Sequence, residues 1–268
     1  MARHAKHKSA EVNEPPFSQV PTITAILIDG GFYRRRAYSL FGDKDPVARA
    51  KELVAYARRH IEKSNANLYR IFYYDCPPSE KVLYHPLLKK QVNLAKTPQY
   101  KWSITFFEEL IHKRKVVLRR GEELRTQNGY LLKPETVKKL CAGKIQVKDL
   151  TEDDFSLDNN QKGVDMRIGL DIASLAQQGI VNQIVMITGD SDFVPAAKHA
   201  RRMGIDFILD PMWANIAPSL SEHVDGVRSC VPKEPNAQNE PLFKSGGKSD
   251  EEKAGKEAID LRNRESGA

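Results

Sequence analysis

A chain of 268 residues, 40% of them hydrophobic, can bury a sizeable core in one large domain or two small ones. No apolar run approaches the ~18–20 residues of a membrane span, so no membrane-spanning segment is expected. Lys and Arg (42) outnumber Asp and Glu (35), and the net charge of +7 suits a polyanionic partner such as nucleic acid, although an ordinary basic surface would look the same.

Residues 1–20 read as a flexible arm, in which Pro15-Pro16 blocks a helix. The arm is basic but has no apolar segment behind it, so it is not read as a secretory signal. Residues 22–28 (TITAILI) form an apolar, β-branched run, as in a buried parallel strand. Residues 46–63 follow, with Pro46 at a first helical turn and Val47, Ala50, Leu53, Val54, Ala57 and Ile61 at helical spacing. Residues 68–74 (LYRIFYY) predict a second strand.

The stretch 76–150 is less regular and reads as an insertion on the main sheet. It predicts a helix over 102–113, and a hairpin of strands 115–124 and 129–132 turning at Gln127-Asn128-Gly129. A short helix over 133–140 follows, with Pro134 at its start. Regular alternation then resumes: helix 164–177 ending near Gly179, strand 183–188, helix 192–203 closing at Gly204, strand 205–209, and a last helix over 217–224. The domain is expected over 21–230. Residues 231–268 are rich in Lys, Glu, Gly, Ser and Asn and predict a disordered tail. Strands separated by helices imply β-α-β crossovers and a mainly parallel sheet, with a site beyond the carboxyl ends of its strands.

That rule makes the acids informative. Asp29 follows the first strand, Asp75 the second, and Asp190 and Asp192 follow the strand QIVMIT; Asp165 begins a helix in KGVD. Any one of them has a plainer role as a turn residue or helix N-cap, and Asp192 would cap the helix after it. As a set they would share one rim. Two carboxylates ~4 Å apart repel by about 4 kcal/mol at an effective dielectric near 20, so such a cluster calls for a cation. Oxygen ligands without His or Cys suit Mg²⁺ or Mn²⁺, and phosphodiester hydrolysis by an activated water is the reaction class that fits.

Other residues accompany this set. Arg34, Arg35 and Arg36, with Tyr33 and Tyr38, either grip phosphates and stack a base or form a solvated basic helix face. Lys162 could meet a phosphate or be a solvated lysine, and Ser191 joins Arg34, Arg35 and Lys162 as a substrate-binding candidate. Asp171, at helical spacing from Ile168 and Leu175, could brace the site through hydrogen bonds. Lys113, Arg114, Lys115, Arg119 and Arg120 read as hairpin surface or groove lining. Cys76, Cys141 and Cys230 are widely spaced with no C-x-x-C, which points away from disulfides and zinc and towards a reduced, cytoplasmic setting.

The segments AILIDGG, KGVDMRIGLDIASLA and IVMITGDSDFVPAAKHARRMGIDFIL together resemble the NYN domain family, PIN-like metal-dependent ribonucleases. The resemblance covers roughly residues 22–230, and TGDSDF is its most specific part. It implies a PIN-like, Rossmannoid α/β sandwich with a central, mainly parallel sheet flanked by helices. It also implies an acidic pocket of Asp29, Asp165, Asp190 and Asp192 holding Mg²⁺ or Mn²⁺, and RNA as substrate. Many relatives carry Asn in a DGxN pattern where this chain has Phe32.

Other site types fail on particular residues. A haloacid-dehalogenase-like phosphatase needs a second Asp where Gly31 stands, and a P-loop needs glycine where Leu242 stands. No G-x-G-x-x-G follows a strand. The remaining rival is a catalytically silent NYN domain that binds RNA or a protein partner as a regulator. A homodimer stays open.

Overall fold

The computed structural model describes residues 21–122, 125–160 and 163–231. The predicted arm, Lys162 and the tail from residue 232 lie outside the described residues. Val231, placed by its sequence at the start of that tail, is buried against the core.

The elements run β1 (Ile23–Asp29), α1 (Gly30–Phe41), α2 (Pro46–Lys63), β2 (Asn67–Asp75), β3 (Val82–His85), β4 (Lys90–Asn93), α3 (Pro98–Ile111) and β5 (Val116–Arg120). They continue with β6 (Arg125–Leu132), α4 (Pro134–Cys141), β7 (Phe155–Asn160), α5 (Val164–Gln178), β8 (Gln183–Ile187), α6 (Val194–Arg202), β9 (Asp206–Asp210), α7 (Pro218–Ser221) and β10 (Gly226–Val227). Among the described residues, six strands build one sheet in the order β10-β9-β8-β1-β2-β5, every neighbouring pair parallel. The predicted α/β sandwich with helices on both faces is the fold.

Alternation along β1 divides the core. Ala25 and Leu27 pack with α5 and α6 through Ile168, Ile172 and Ala197. Ile26 and Ile28 pack on the opposite face with α2 and α3 through Leu53, Tyr56, Phe106 and Phe107. Local chemistry starts and stops the helices. The Asp45 carboxylate accepts the Ala48 N–H at 2.9 Å ahead of Pro46, and the Thr97 hydroxyl accepts the Tyr100 N–H at 3.2 Å ahead of Pro98. Gly179 ends α5 in the left-handed region at φ 62°.

Three local expectations are redrawn. Residues 116–120 are not half of a hairpin: β5 pairs in parallel with β2, Ile71 opposite Val116 through Asp75 opposite Arg120. The main sheet therefore reclaims α3 and β5 from the presumed insertion. Second, Gln127-Asn128-Gly129 is no turn but lies inside β6, across the register shift between Thr126 and Tyr130; β6 pairs with β7. Third, the helix expected from residue 192 begins as a 3-10 turn, Ser191–Phe193, and α6 starts at Val194. What is left as additional structure is the β3-β4 and β6-β7 pairs with α4.

The order places β1 between β2 and β8. From β1 the chain winds one way through β2 and β5, then returns to β8 and winds the other way through β9 and β10. The crevice at such a reversal lies beyond the carboxyl ends of the two central strands, here β1 and β8.

Candidate functional site

Asp29 is both the last residue of β1 and the N-cap of α1, with no loop between. Its Oδ1 accepts the Phe32 N–H at 3.1 Å, a cap worth about 1 kcal/mol, and its Oδ2 accepts the Thr188 hydroxyl at 3.3 Å. Such an abrupt reversal needs glycine next: a Cβ on Gly30 would meet the Tyr74 carbonyl oxygen and the Tyr73 ring at 2.6 Å.

Thr188, fully buried just past β8, ties the two central strand ends together: it also accepts the Asp190 N–H at 3.2 Å. Asp190 caps the 3-10 turn, accepting the Asp192 N–H at 2.9 Å, so the capping role foreseen for Asp192 belongs to Asp190. Asp192 is exposed in that turn beside the half-buried Ser191. Asp165 is exposed in the first turn of α5, which packs against the turn carrying Asp190 and Asp192.

These carboxylates feel one another. Burial lifts the Asp29 pKa above its ordinary 3.8; the Phe32 N–H and Arg35 oppose the rise, and the charges of Asp75 and Asp165 add to it. Asp165 is also raised, by burial and then by Asp190 and Asp192. The four predicted aspartates thus share one electrostatic neighbourhood at the crevice. Their donor set, carboxylate oxygen without His or Cys, fits a hard divalent cation, which would relieve that repulsion. Among the described residues, no three His, Cys, Asp or Glu side chains stand as a ready-made metal cage.

The arginines part company. Arg34 pairs with the fully buried Asp75 (3.1 Å), which also accepts the Tyr73 hydroxyl and the Cys76 N–H at 3.1 and 2.8 Å. Arg36 is buried and donates twice to the Met212 carbonyl, at 3.0 and 2.6 Å. Only Arg35 of the three is exposed, near enough to lower the Asp29 pKa. Tyr33, proposed from sequence as a base-stacking residue, is fully buried in the core; Tyr38 is exposed. Asp171 accepts the Tyr74 hydroxyl at 2.8 Å and the Arg119 guanidinium at 3.0 Å, bracing α5 against β2 and β5.

Phe32, in place of the family's Asn, is buried with its ring against Gly189; a Cβ there would meet the ring at 2.8 Å. The position packs the crevice floor instead of offering a polar contact.

A family model described as the NYN domain matches residues 24–228, from β1 through β10. The chain belongs to the NYN domain family. NYN domains are PIN-like nucleases as a family, and the match takes in all four aspartates of this NYN domain. Comparison with curated proteins gives no match. Among solved structures, the chain is similar to a protein of unknown function from Vibrio parahaemolyticus RIMD 2210633, with a TM-score of 0.43 and 11% identity over 78% of this chain and 93% of that one.

Two polar residues of this NYN domain escaped sequence reasoning. Thr188 was legible as the end of an apolar strand, but nothing local says that its hydroxyl bridges Asp29 and Asp190. Asp210 ends β9 as Asp29 ends β1, and the same strand-end pattern could have singled it out. It is fully buried and accepts the Tyr56 hydroxyl at 2.6 Å, the Met212 N–H at 2.7 Å and the Ser229 hydroxyl at 2.9 Å, with His60 Nε2 2.7 Å away.

Proposed function

We propose that this NYN domain is a metal-dependent ribonuclease that hydrolyses RNA phosphodiester bonds at the carboxylate crevice between β1 and β8. The Thr188 hydroxyl, which ties Asp29 at the end of β1 to the backbone of Asp190 after β8 at the topological reversal of the sheet, carries this reading; burial first, and then neighbouring acids, raise the Asp29 and Asp165 pKa values there. Asp29, Asp165, Asp190 and Asp192 would hold Mg²⁺ or Mn²⁺. When bound, such an ion supplies an acidified water and offsets charge building on the phosphate. The chain supplies position. The Phe32 N–H and Thr188 hydroxyl fix the Asp29 carboxylate, Thr188 also holds the backbone of Asp190, and the pairing of half-buried Arg34 with buried Asp75 anchors the first turns of α1. Arg35, exposed and near enough to lower the Asp29 pKa, and Ser191, next in the chain to Asp190, would meet phosphate oxygens; Arg34 would act through Asp75.

A second reading, a catalytically silent NYN domain that binds RNA or a protein as a regulator, is favoured by Phe32 at the family's Asn position, where its ring packs against Gly189. Incubating labelled single-stranded RNA with purified protein and Mn²⁺ separates the two. Wild type should cut, and Asp29→Asn and Asp190→Asn should each lose at least about a hundredfold in rate, the scale of one lost charge-stabilising group. Equal residual cutting by all three proteins would sink the enzyme reading and leave the regulator.

A further inference from the structure

The loop after β9 is held in a conformation that side chains disfavour. Met212 and Trp213 are consecutive non-glycine residues at φ 46° and 61°, both in the left-handed region. Such a shape persists only where its surroundings impose it, and those positions concentrate at ligand clamps. Here the surroundings are explicit. Arg36 grips the Met212 carbonyl, the Asp210 carboxylate accepts the Met212 N–H, the Ser229 hydroxyl accepts the Trp213 N–H at 3.1 Å, and the Trp213 indole N–H donates to the Val231 carbonyl at 2.8 Å.

What this frame presents is a cleft of about 390 Å³, within the ~300–1,000 Å³ of small-molecule sites. Trp213, Asn215, Ile216, Arg228, Ser229 and Lys63 line it. An indole and an aliphatic side chain offer apolar surface. The exposed Asn215 amide makes no hydrogen bond to any described residue. Arg228 gives one nitrogen to Ser64 Oγ at 2.8 Å, while its Nε has no hydrogen-bond partner among the described residues. Lys63 and Arg228 make the rim basic. An aromatic beside an amide and cations is the combination that takes an unstacked base and its phosphate.

Its place also fits. The loop begins at the carboxyl end of β9, the neighbour of β8, and the Thr188 N–H donates to the Asp210 carbonyl at 3.2 Å. Two strand spacings, ~10 Å, separate the ends of β1 and β9. Arg36, which holds the loop, lies on the helix that Asp29 caps.

We infer that this cleft seats a nucleotide of the single RNA strand whose scissile phosphate lies at the aspartates. The inference rests on the nuclease reading for its substrate, but its test does not depend on cutting. The chain has two tryptophans, so Trp102→Phe leaves Trp213 as the fluorescent reporter. In that background, with Asp190→Asn to prevent cleavage and Mn²⁺ present, a short single-stranded oligouridylate should quench Trp213 emission. Asn215→Ala and Lys63→Ala, both at exposed positions, should each raise the fitted Kd about tenfold. Unchanged emission, or an unchanged Kd in both variants, overturns the subsite. So does uridine monophosphate quenching with the Kd of the oligomer, which would mark a free-nucleotide pocket. Quenching as expected from a protein that fails to cut RNA in its wild-type form sinks the nuclease reading and spares the subsite; cutting without quenching does the reverse.

Discussion

Asp29 carries opposing demands. As an N-cap it stabilises α1, yet burial and its acidic neighbours raise its pKa, so its ionised form is disfavoured in the fold. The sign follows from linkage. A carboxyl whose folded pKa lies above its unfolded value contributes stability that is full below the ordinary 3.8 and is lost as pH rises through the raised value. Asp165 adds in the same direction. At neutral pH and with a chelator present, Asp29→Asn should therefore raise Tm, by about 2–4 °C for each kcal/mol relieved, because Asn still caps the helix. The gain should vanish on acidification below the ordinary carboxyl range. Thermal unfolding across pH checks this; a variant less stable than wild type at neutral pH would show that the cap outweighs the repulsion. Added Mn²⁺ should raise the wild-type Tm more than that of the variant.

At the scale of elements, the crevice floor depends on Phe32 of α1 meeting the glycine after β8. Gly189→Ala should cost about 1–3 kcal/mol, since a buried ring must move to admit the methyl group. Phe32→Leu should recover part of that loss in the double variant, and a double-mutant cycle by urea unfolding measures the coupling. Strictly additive losses would show that the two residues do not share the space. The elements also show what a sequence can carry. Pro46 and the apolar spacing defined α2 over the residues it occupies, because those signals act within one or two turns. Residues 116–120 misled because a short β-branched run before turn-like residues looks like a hairpin arm. Its partner is β2, some 45 positions earlier (Ile71 to Val116), and no local pattern encodes that pairing. The aspartates were legible because strand ends are local; the bridge through Thr188 spans 159 positions and was not. Tyr56 and His60 hid for the same reason: only the fold brings Asp210 to them.

For the whole molecule, the basic balance seen in the sequence bears on substrate capture. A single RNA strand contacting about three neutralised phosphates should bind roughly twentyfold more weakly at about 200 mM salt than at about 50 mM. Filter binding with Asp190→Asn across that range gives the slope, and a flat response would remove electrostatics from capture. Helices cover both faces of the sheet, and β10, at one edge, is two residues long, too short to template another strand.

The missing linker between β1 and α1 has a consequence for how the chain tolerates change in length. One residue added after Asp29 would rotate everything downstream on α1 by about 100°. Arg34 would swing off Asp75 and Arg36 off the Met212 carbonyl, so the carboxylate crevice, the buried charge and the strained loop would be undone by a single codon. Length should vary at less cost in the outlying β3-β4 and β6-β7 ribbons, which stand outside the six-stranded sheet.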